Sequence, residues 1–505
     1  MARYKHTDAE GGQGQFLTVN LKAQLLPGTF EYMLNDLIEN KIVDISIFDE
    51  NYKNDATGAK AIPPAALIKL IIYGYRKGQL SSRKLCELAQ CNIIAKSLTN
   101  DMEPHWTTIA DFISSNSEQF ENVFAKILMY CEELNLVGGE DLAVDGCRLP
   151  SNASIEMSGT EEELEKKLAK CRKMAEKHIA KHREADEAGT LDKETQRRDE
   201  ERQKALNRRI EKISVFLDGM EKKEGKRERE VKSNVTDNDS AMIHSSKGTI
   251  QGYIGIAIAD KKNQIIVSAQ AAGSSNEGEF LPPILDKALE NLEKMSVELP
   301  PGAERTITAD ANYLSEENLQ ACLERGVEAV IPDGQSNRQR NTNGEKKYEA
   351  ADFTYHEEED YYECPNGKKL RYKHTTTAQG GRKGKTYETG VNECRSCPLN
   401  SRCISARDKQ GNIKRGRRLF ISNSNAPGSL CVQMRKKLGT KEYQNKYAYR
   451  IQIIEPVFSS ITYCKGLNRF TLRGNKKVNG QWKLFCIVHN LSKCLQAYNK
   501  EKEYA

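Results

Sequence analysis

The chain has 505 residues, of which 38% are hydrophobic and 29% charged, with a formal net charge of +6. That length allows about two to four domains, and no apolar run approaches the ~18 residues that a membrane span needs. The opening stretch MARYKHTDAEGGQGQF has no apolar core, and the chain carries fourteen cysteines. Together these predict a reducing cytoplasm, not export with a disulfide framework.

Residues 1–14 are polar and glycine-rich and read as a flexible arm. Residues 15–125 read as a helical domain: Pro63-Pro64 opens a helix in which Leu67, Leu70, Ile71 and Tyr75 recur at helical spacing. Ser81 to Lys84 reads as a cap and a basic helix start, and Trp106 begins a further helix after Pro104. Residues 126–158 start a second domain, with a helix and then a strand ending at Asp145. Residues 159–225 are dominated by Glu, Lys and Arg. Leu164, Leu168, Cys171 and Ala175, and then Leu206, Ile210, Ile213, Leu217 and Met220, step as two helical seams. With Ala188-Gly189-Thr190 as a turn, they predict an inserted helical hairpin, either a solvated spacer or an assembly or DNA-bridging element. Residues 226–333 continue the core. Tyr253–Ala259 and Gln264–Ala271 read as paired strands, Phe280–Met295 as a helix, Arg305–Ala309 as a strand ending at Asp310, and Val327–Ile331 as another strand. This alternation predicts a mixed α/β sheet.

Residues 334–425 break the pattern. They are polar and carry Cys364, Cys394, Cys397 and Cys403. Cys394-x2-Cys397 is a knuckle spacing, and the four thiols suit a closed tetrahedral Zn²⁺ site that would order a segment short of apolar residues. The alternative is four reduced cysteines in a loop. Residues 426–505 return to helix, ending in Gln481–Tyr498 with Trp482, Phe485, Cys486 and His489 on one face. His489 beside Asn490 reads as a hydrogen-bonded core residue.

Charge is distributed unevenly. Ile404 to Ala505 hold 21 Lys+Arg against 5 Asp+Glu, a local +16 that leaves −10 for the first 403 residues. Within this basic region, YAYRIQIIEPVFSSITYCKGLNRFTLRG places a lone acid, Glu455. A carboxylate in such a field fits a divalent cation beside a phosphate backbone. Asp145 and Asp310, each at the end of an apolar run, look like carboxylates at strand ends, where open α/β sheets bind ligands. Singly, Asp145-Gly146 reads as a turn, Asp310 as a loop residue and Glu455-Pro456 as a surface acid in a helix's first turn.

DGCRLPSNAS at Asp145, ADANYLSEENL at Asp310 and YAYRIQIIEPVF at Glu455, with AIPPAALIKLIIYGYRKGQLSSRKL and WKLFCIVHNLSK, resemble the bacterial insertion-sequence DDE transposases over nearly the whole chain. The resemblance implies a ribonuclease-H-like mixed sheet core with a helical N-terminal DNA-binding-type domain, an inserted helical hairpin and a small Cys-rich, zinc-ribbon-like insertion, the basic C-terminal part completing the catalytic domain. It implies a nucleoid-associated enzyme in which Asp145, Asp310 and Glu455 hold two Mg²⁺ ions, or Mn²⁺, for cleavage at element ends and strand transfer. Its partners would be double-stranded DNA, both terminal inverted repeats and target, bound by a homodimer. Tyr447 and Arg450, on one helical face, with Lys465, Arg469 and Arg473, would contact phosphates. Two departures stand out: four residues separate Arg450 from Glu455 where some relatives have three, and Thr462 occupies a position often lysine, with Lys465 its nearest replacement. Asp237 and Asp239 are expected near the site without being ligands. Rival readings are a catalytically silent domesticated transposase that only binds DNA, and a nuclease without joining activity.

Overall fold

The computed structural model describes residues 18–52, 60–188, 193–224, 230–245, 248–333, 348–377, 383–404, 407 and 410–504. The predicted arm (1–14) and the predicted turn at Gly189-Thr190 lie outside these. Two compact units are present: residues 1–112 with 495–505, and residues 113–494.

The first unit is helical. Thr29 caps α1 (Phe30–Glu39) by accepting from the Tyr32 N–H, and Phe30, Met33, Leu34, Leu37 and Ile38 form its buried face. Helix α2 (Pro64–Arg76) is buried nearly all round from Ala66 to Tyr75. Lys69 is therefore inside, where its ammonium donates to Asn35 and Glu39, as a buried cation requires. Ser81 caps α3 (Ser82–Cys91), and Asn92 caps α4 (Ile93–Thr99), which ends on Asn100 in the left-handed conformation. A Cβ on Gly74 would lie 2.1 Å from Leu85 Cδ2, so the approach of α3 to α2 requires glycine there. Helix α5 (Trp106–Ser115) follows.

The second unit begins with α6 (Gln119–Glu133) and is built on one six-stranded sheet. Its strands are β1 (Asp141–Pro150), β2 (Ala241–Ser245), β3 (Gly248–Asp260), β4 (Ile266–Ala272), β5 (Arg305–Thr308) and β6 (Val327–Val330). The order is β6-β5-β1-β3, with β3 paired first to β2 and then to β4. β1 runs antiparallel to β3 and parallel to β5, and β5 runs parallel to β6. The run Tyr253–Ala259 is wholly buried, as a central strand covered on both faces demands. One expectation is corrected here. β1 does not end at Asp145; the acid sits mid-strand opposite Ala257 and the strand continues to Pro150. Asp145-Gly146 is therefore not a turn.

Between β1 and β2 lie α7 (Glu161–Glu187) and α8 (Lys193–Asp218). A capping box of Thr160 and Glu163 starts α7. Arg172 meets Ser214, and His178 meets Asp199, so the two helices run antiparallel. Their root is a two-residue antiparallel pairing of Ser158-Gly159 with Ser233-Asn234. After β4 come α9 (Leu281–Lys294), β5, α10 (Glu316–Glu324) and β6.

A second, five-stranded antiparallel sheet in sequential order follows: β7 (Thr354–His356), β8 (Tyr361–Glu363), β9 (Lys369–Thr377), β10 (Lys383–Glu388) and β11 (Arg418–Ser422). It has a core of its own in Phe353, Tyr362, Leu370, Tyr387, Leu419 and Ile421. The expectation of a segment too poor in apolar residues to pack is thus overturned: three aromatic rings pack with three aliphatic side chains. Short helices α11 (Val391–Arg395) and α12 (Asn400–Cys403) lie between β10 and β11. Helices α13 (Leu430–Leu438), α14 (Lys441–Ser459) and α15 (Asn475–Tyr504) complete the chain. Trp482, Phe485, Cys486 and His489 of α15 are buried, and the Trp482 ring N–H donates to the Ile256 carbonyl of β3. No helix among the described residues is long and apolar enough to cross a membrane.

Candidate active site

Three elements carry the acids singled out in the sequence. Asp145 lies in the middle of β1. Asp310 follows β5 by two residues and caps the short turn Ala311–Tyr313, its Oδ1 accepting from the Asn312 N–H at 2.9 Å. Glu455 lies on the exposed side of α14, near that helix's C-terminal end and not in its first turn. Pro456 within α14 cannot donate to the Gln452 carbonyl, and the side-chain amide of Gln264 supplies that hydrogen bond at 2.7 Å. The helix therefore stays continuous through the acid's position.

Electrostatics ties the acids together. Burial pushes the Asp145 carboxyl above its ordinary range; the Arg450 guanidinium and the Gly146 N–H pull it down, while Asp310 and Glu455 both push it up. Arg450, buried in α14, donates to Asp145 Oδ2 at 2.6 Å. Tyr447, one turn earlier, is raised by burial and feels Arg450, Asp310 and Asp145. A fourth acid, Glu277, stands in the turn before α9. Burial, then Asp310, raise it to about 7, with Arg148 opposing. Sequence reasoning missed Glu277 and Asn312, because an acid just ahead of a helix reads as an ordinary dipole partner.

The donor set suits a hard divalent cation: oxygens only, from a strand (Asp145), a helix (Glu455) and two turns (Asp310 and Glu277), with Arg450 paired to Asp145 and Arg148 to Glu277. The fit is of chemistry. Among the described residues, no three His, Cys, Asp or Glu side chains are gathered closely enough to hold a metal ion, and one oxygen of Asp145 is engaged by Arg450.

The other predicted contacts are placed as follows. Lys465 is buried and its ammonium reaches Ser460 Oγ. Arg469 and Arg473 are exposed, and each also donates to the Ser151-Asn152 segment just beyond β1. Asp237 and Asp239 accept the N–H groups of Gly474 and Asn475 at the start of α15, and Asp237 also accepts from the Tyr253 hydroxyl. Their role here is to cap a helix. Cys364, Cys394, Cys397 and Cys403 all line one small cavity. The Lys368 N–H donates to Cys364 Sγ and the Arg417 N–H to Cys394 Sγ, each at 3.3 Å. Burial raises the Cys394 and Cys403 thiols.

Comparison with protein families gives two matches. Residues 363–495, which include Glu455 and the four cysteines, match the transposase DDE domain. Residues 19–115 match a transposase domain (DUF772). No curated protein matches the chain. The class is therefore a transposase with a DDE domain on an α/β scaffold, which implies an enzyme that cleaves DNA and uses divalent metal. Together the two matches support an insertion-sequence DDE transposase. Asp145 and Asp310 lie outside both matched segments, so their assignment depends on geometry.

Proposed function

We propose that the protein cuts DNA at the ends of an insertion element and joins those ends to a target, with Asp145, Asp310 and Glu455 as the ligands of two Mg²⁺ ions. The observation that carries this reading is the electrostatic meeting of Asp145 with Asp310 and Glu455, acids 165 and 310 positions away in the chain. The sheet order supports a ribonuclease-H-like core: an antiparallel hairpin on one side of β1 and two parallel strands on the other. The metal would activate a water or a DNA 3′-hydroxyl and stabilise the leaving oxygen. Arg450 holds the Asp145 carboxylate in place, and Tyr447 and Arg450 offer a hydroxyl and a guanidinium beside a scissile phosphate. Exposed Arg469 and Arg473 are candidates for flanking phosphates, and a homodimer on DNA in the nucleoid-containing cytoplasm is the working assembly. Lys465, being buried, is the weakest of the proposed DNA contacts.

A structural Zn²⁺ at the four cysteines is part of this proposal. It is supported by their shared cavity and by the two N–H to sulfur contacts; the absence of a gathered three-ligand group among the described residues weighs against it.

The test of the nuclease reading is cleavage of DNA carrying the element's ends in Mg²⁺ by wild type and by Asp145→Asn, Asp310→Asn and Glu455→Gln. Each variant should retain DNA binding and lose cleavage. Wild-type cleavage by Asp310→Asn would refute the assignment. DNA binding without cleavage by the wild-type protein would favour a silent, domesticated transposase.

A further inference from the structure

Glu277 is 3% exposed. Its Oε1 accepts from Arg148 Nη2 at 3.2 Å and from Asn312 Nδ2 at 3.0 Å. Its Oε2 is buried and has no hydrogen-bond partner among the described residues. That oxygen points at the catalytic strand: a Cβ built on Gly146, the neighbour of Asp145, would lie 2.5 Å from it. Asn312 ties the same carboxylate to the second acid, because its Nδ2 also donates to Asp310 Oδ2 at 3.0 Å. The arrangement is fixed from behind. Buried Asn318 donates to both the Gly278 and Tyr313 carbonyls, which clamps the turn carrying Glu277 to the turn after Asp310. A second buried polar atom nearby, the Tyr313 hydroxyl, is also without a partner.

A buried carboxylate oxygen left unmatched is costly unless something compensates it. A purely structural partner for Arg148 would need only one oxygen, and it would not need glycine at 146 to clear space for the other. The unmatched oxygen packs against β1 at Gly146, next to Asp145 in the chain, and its carboxylate is tethered to Asp310 through Asn312. We propose that Glu277 is a fourth carboxylate of the divalent-cation site, contributing the free Oε2. This rests on the three-acid reading above.

The experiment uses the full chain without DNA and titrates Mn²⁺, with binding followed by electron paramagnetic resonance and by the metal-induced rise in Tm. Glu277→Gln should bind Mn²⁺ roughly tenfold or more weakly and lose most of the metal-induced Tm rise. Its metal-free Tm should be unchanged or higher, because a desolvated charge has been removed. A structural ion-pair role predicts the reverse, a lowered Tm with unchanged affinity, and that result would overturn the inference. Glu277→Asp, which keeps the charge but retracts it by one methylene, should also weaken Mn²⁺ binding. Wild-type affinity in either variant, with binding lost in Asp145→Asn, overturns the role of Glu277 alone. Wild-type affinity in Asp145→Asn as well overturns the three-acid reading and this inference with it.

Discussion

Arg450 and Asp145, 305 positions apart, share a 2.6 Å hydrogen bond that joins the final helical part of the chain to the central strand of the sheet. Arg450 is nearly buried and Asp145 is about one-fifth exposed. Arg450 Nε has no partner among the described residues.

Breaking such a pair from one side leaves a charge stranded. Arg450→Met is expected to lower unfolding free energy by about 2–3 kcal/mol, below the usual upper figures because Asp145 is partly hydrated. Adding Asp145→Asn should recover a measurable part of the loss, and a double-mutant cycle by chemical denaturation reads the coupling. Strict additivity would show that the two residues are not energetically linked.

Gly146 should tolerate no side chain. A Cβ there meets Glu277 Oε2 at 2.5 Å and Ile254 Cγ2 at 2.6 Å. Gly146→Ala is expected to cost about 1–3 kcal/mol through overpacking, measured by denaturant midpoint, and to displace both acids on either side of it. A stability equal to wild type would mean that the turn holding Glu277 shifts freely.

His489 predicts an acid limb in the stability profile. Its ring donates to the Gln264 carbonyl and faces Ser460 Oγ. Burial, with Lys465 and Lys493 adding to it, lowers its pKa to about 3 despite the Gln264 contact. The folded state therefore resists a proton that the unfolded state accepts near its ordinary value of 6.5. Stability from this source is complete above about pH 6.5 and is lost as pH falls toward 3, at no more than about 1.4 kcal/mol per pH unit. His489→Gln should flatten that limb in pH-dependent unfolding. An unchanged slope would assign the acid sensitivity elsewhere.

The cysteine cavity gives a chemical test. Protein purified without chelator should carry about one zinc per chain, lost in the Cys394→Ser/Cys397→Ser variant while cleavage-site Mn²⁺ binding persists. Zinc-free wild-type protein with a folded second sheet would show that Phe353, Tyr362, Tyr387 and their neighbours suffice on their own.

Much of the fold could be read from residue patterns, because period and burial coincide: α2 at helical spacing, the β3–β4 hairpin, and the apolar face of α15. The candidate acids stand out by their apolar lead-ins, Glu455 by the basic field around it, and the three together by the family resemblance. The rest was not legible for identifiable reasons. Asp145-Gly146 has turn chemistry, yet its glycine serves a mid-strand position crowded by Glu277. Glu277 and Asn312 become site residues only when the chain after β5 folds against the turn before α9, a proximity no local pattern encodes. The second sheet looked coreless because only three aliphatic residues, Leu370, Leu419 and Ile421, build its core, and the rest comes from aromatic rings spread along a polar segment.

The pairing of Ser158-Gly159 with Ser233-Asn234 has a consequence for how such a chain can vary. The long α7–α8 excursion leaves and re-enters the sheet domain through two adjacent paired segments. The entropic charge for closing a flexible loop rises only logarithmically, about 0.6 kcal/mol for each doubling of length. Extension or trimming of this arm beyond its root leaves in place the pairing that anchors it to the sheet unit. Insertion and deletion can reshape what the arm touches while the chemistry at its base stays still.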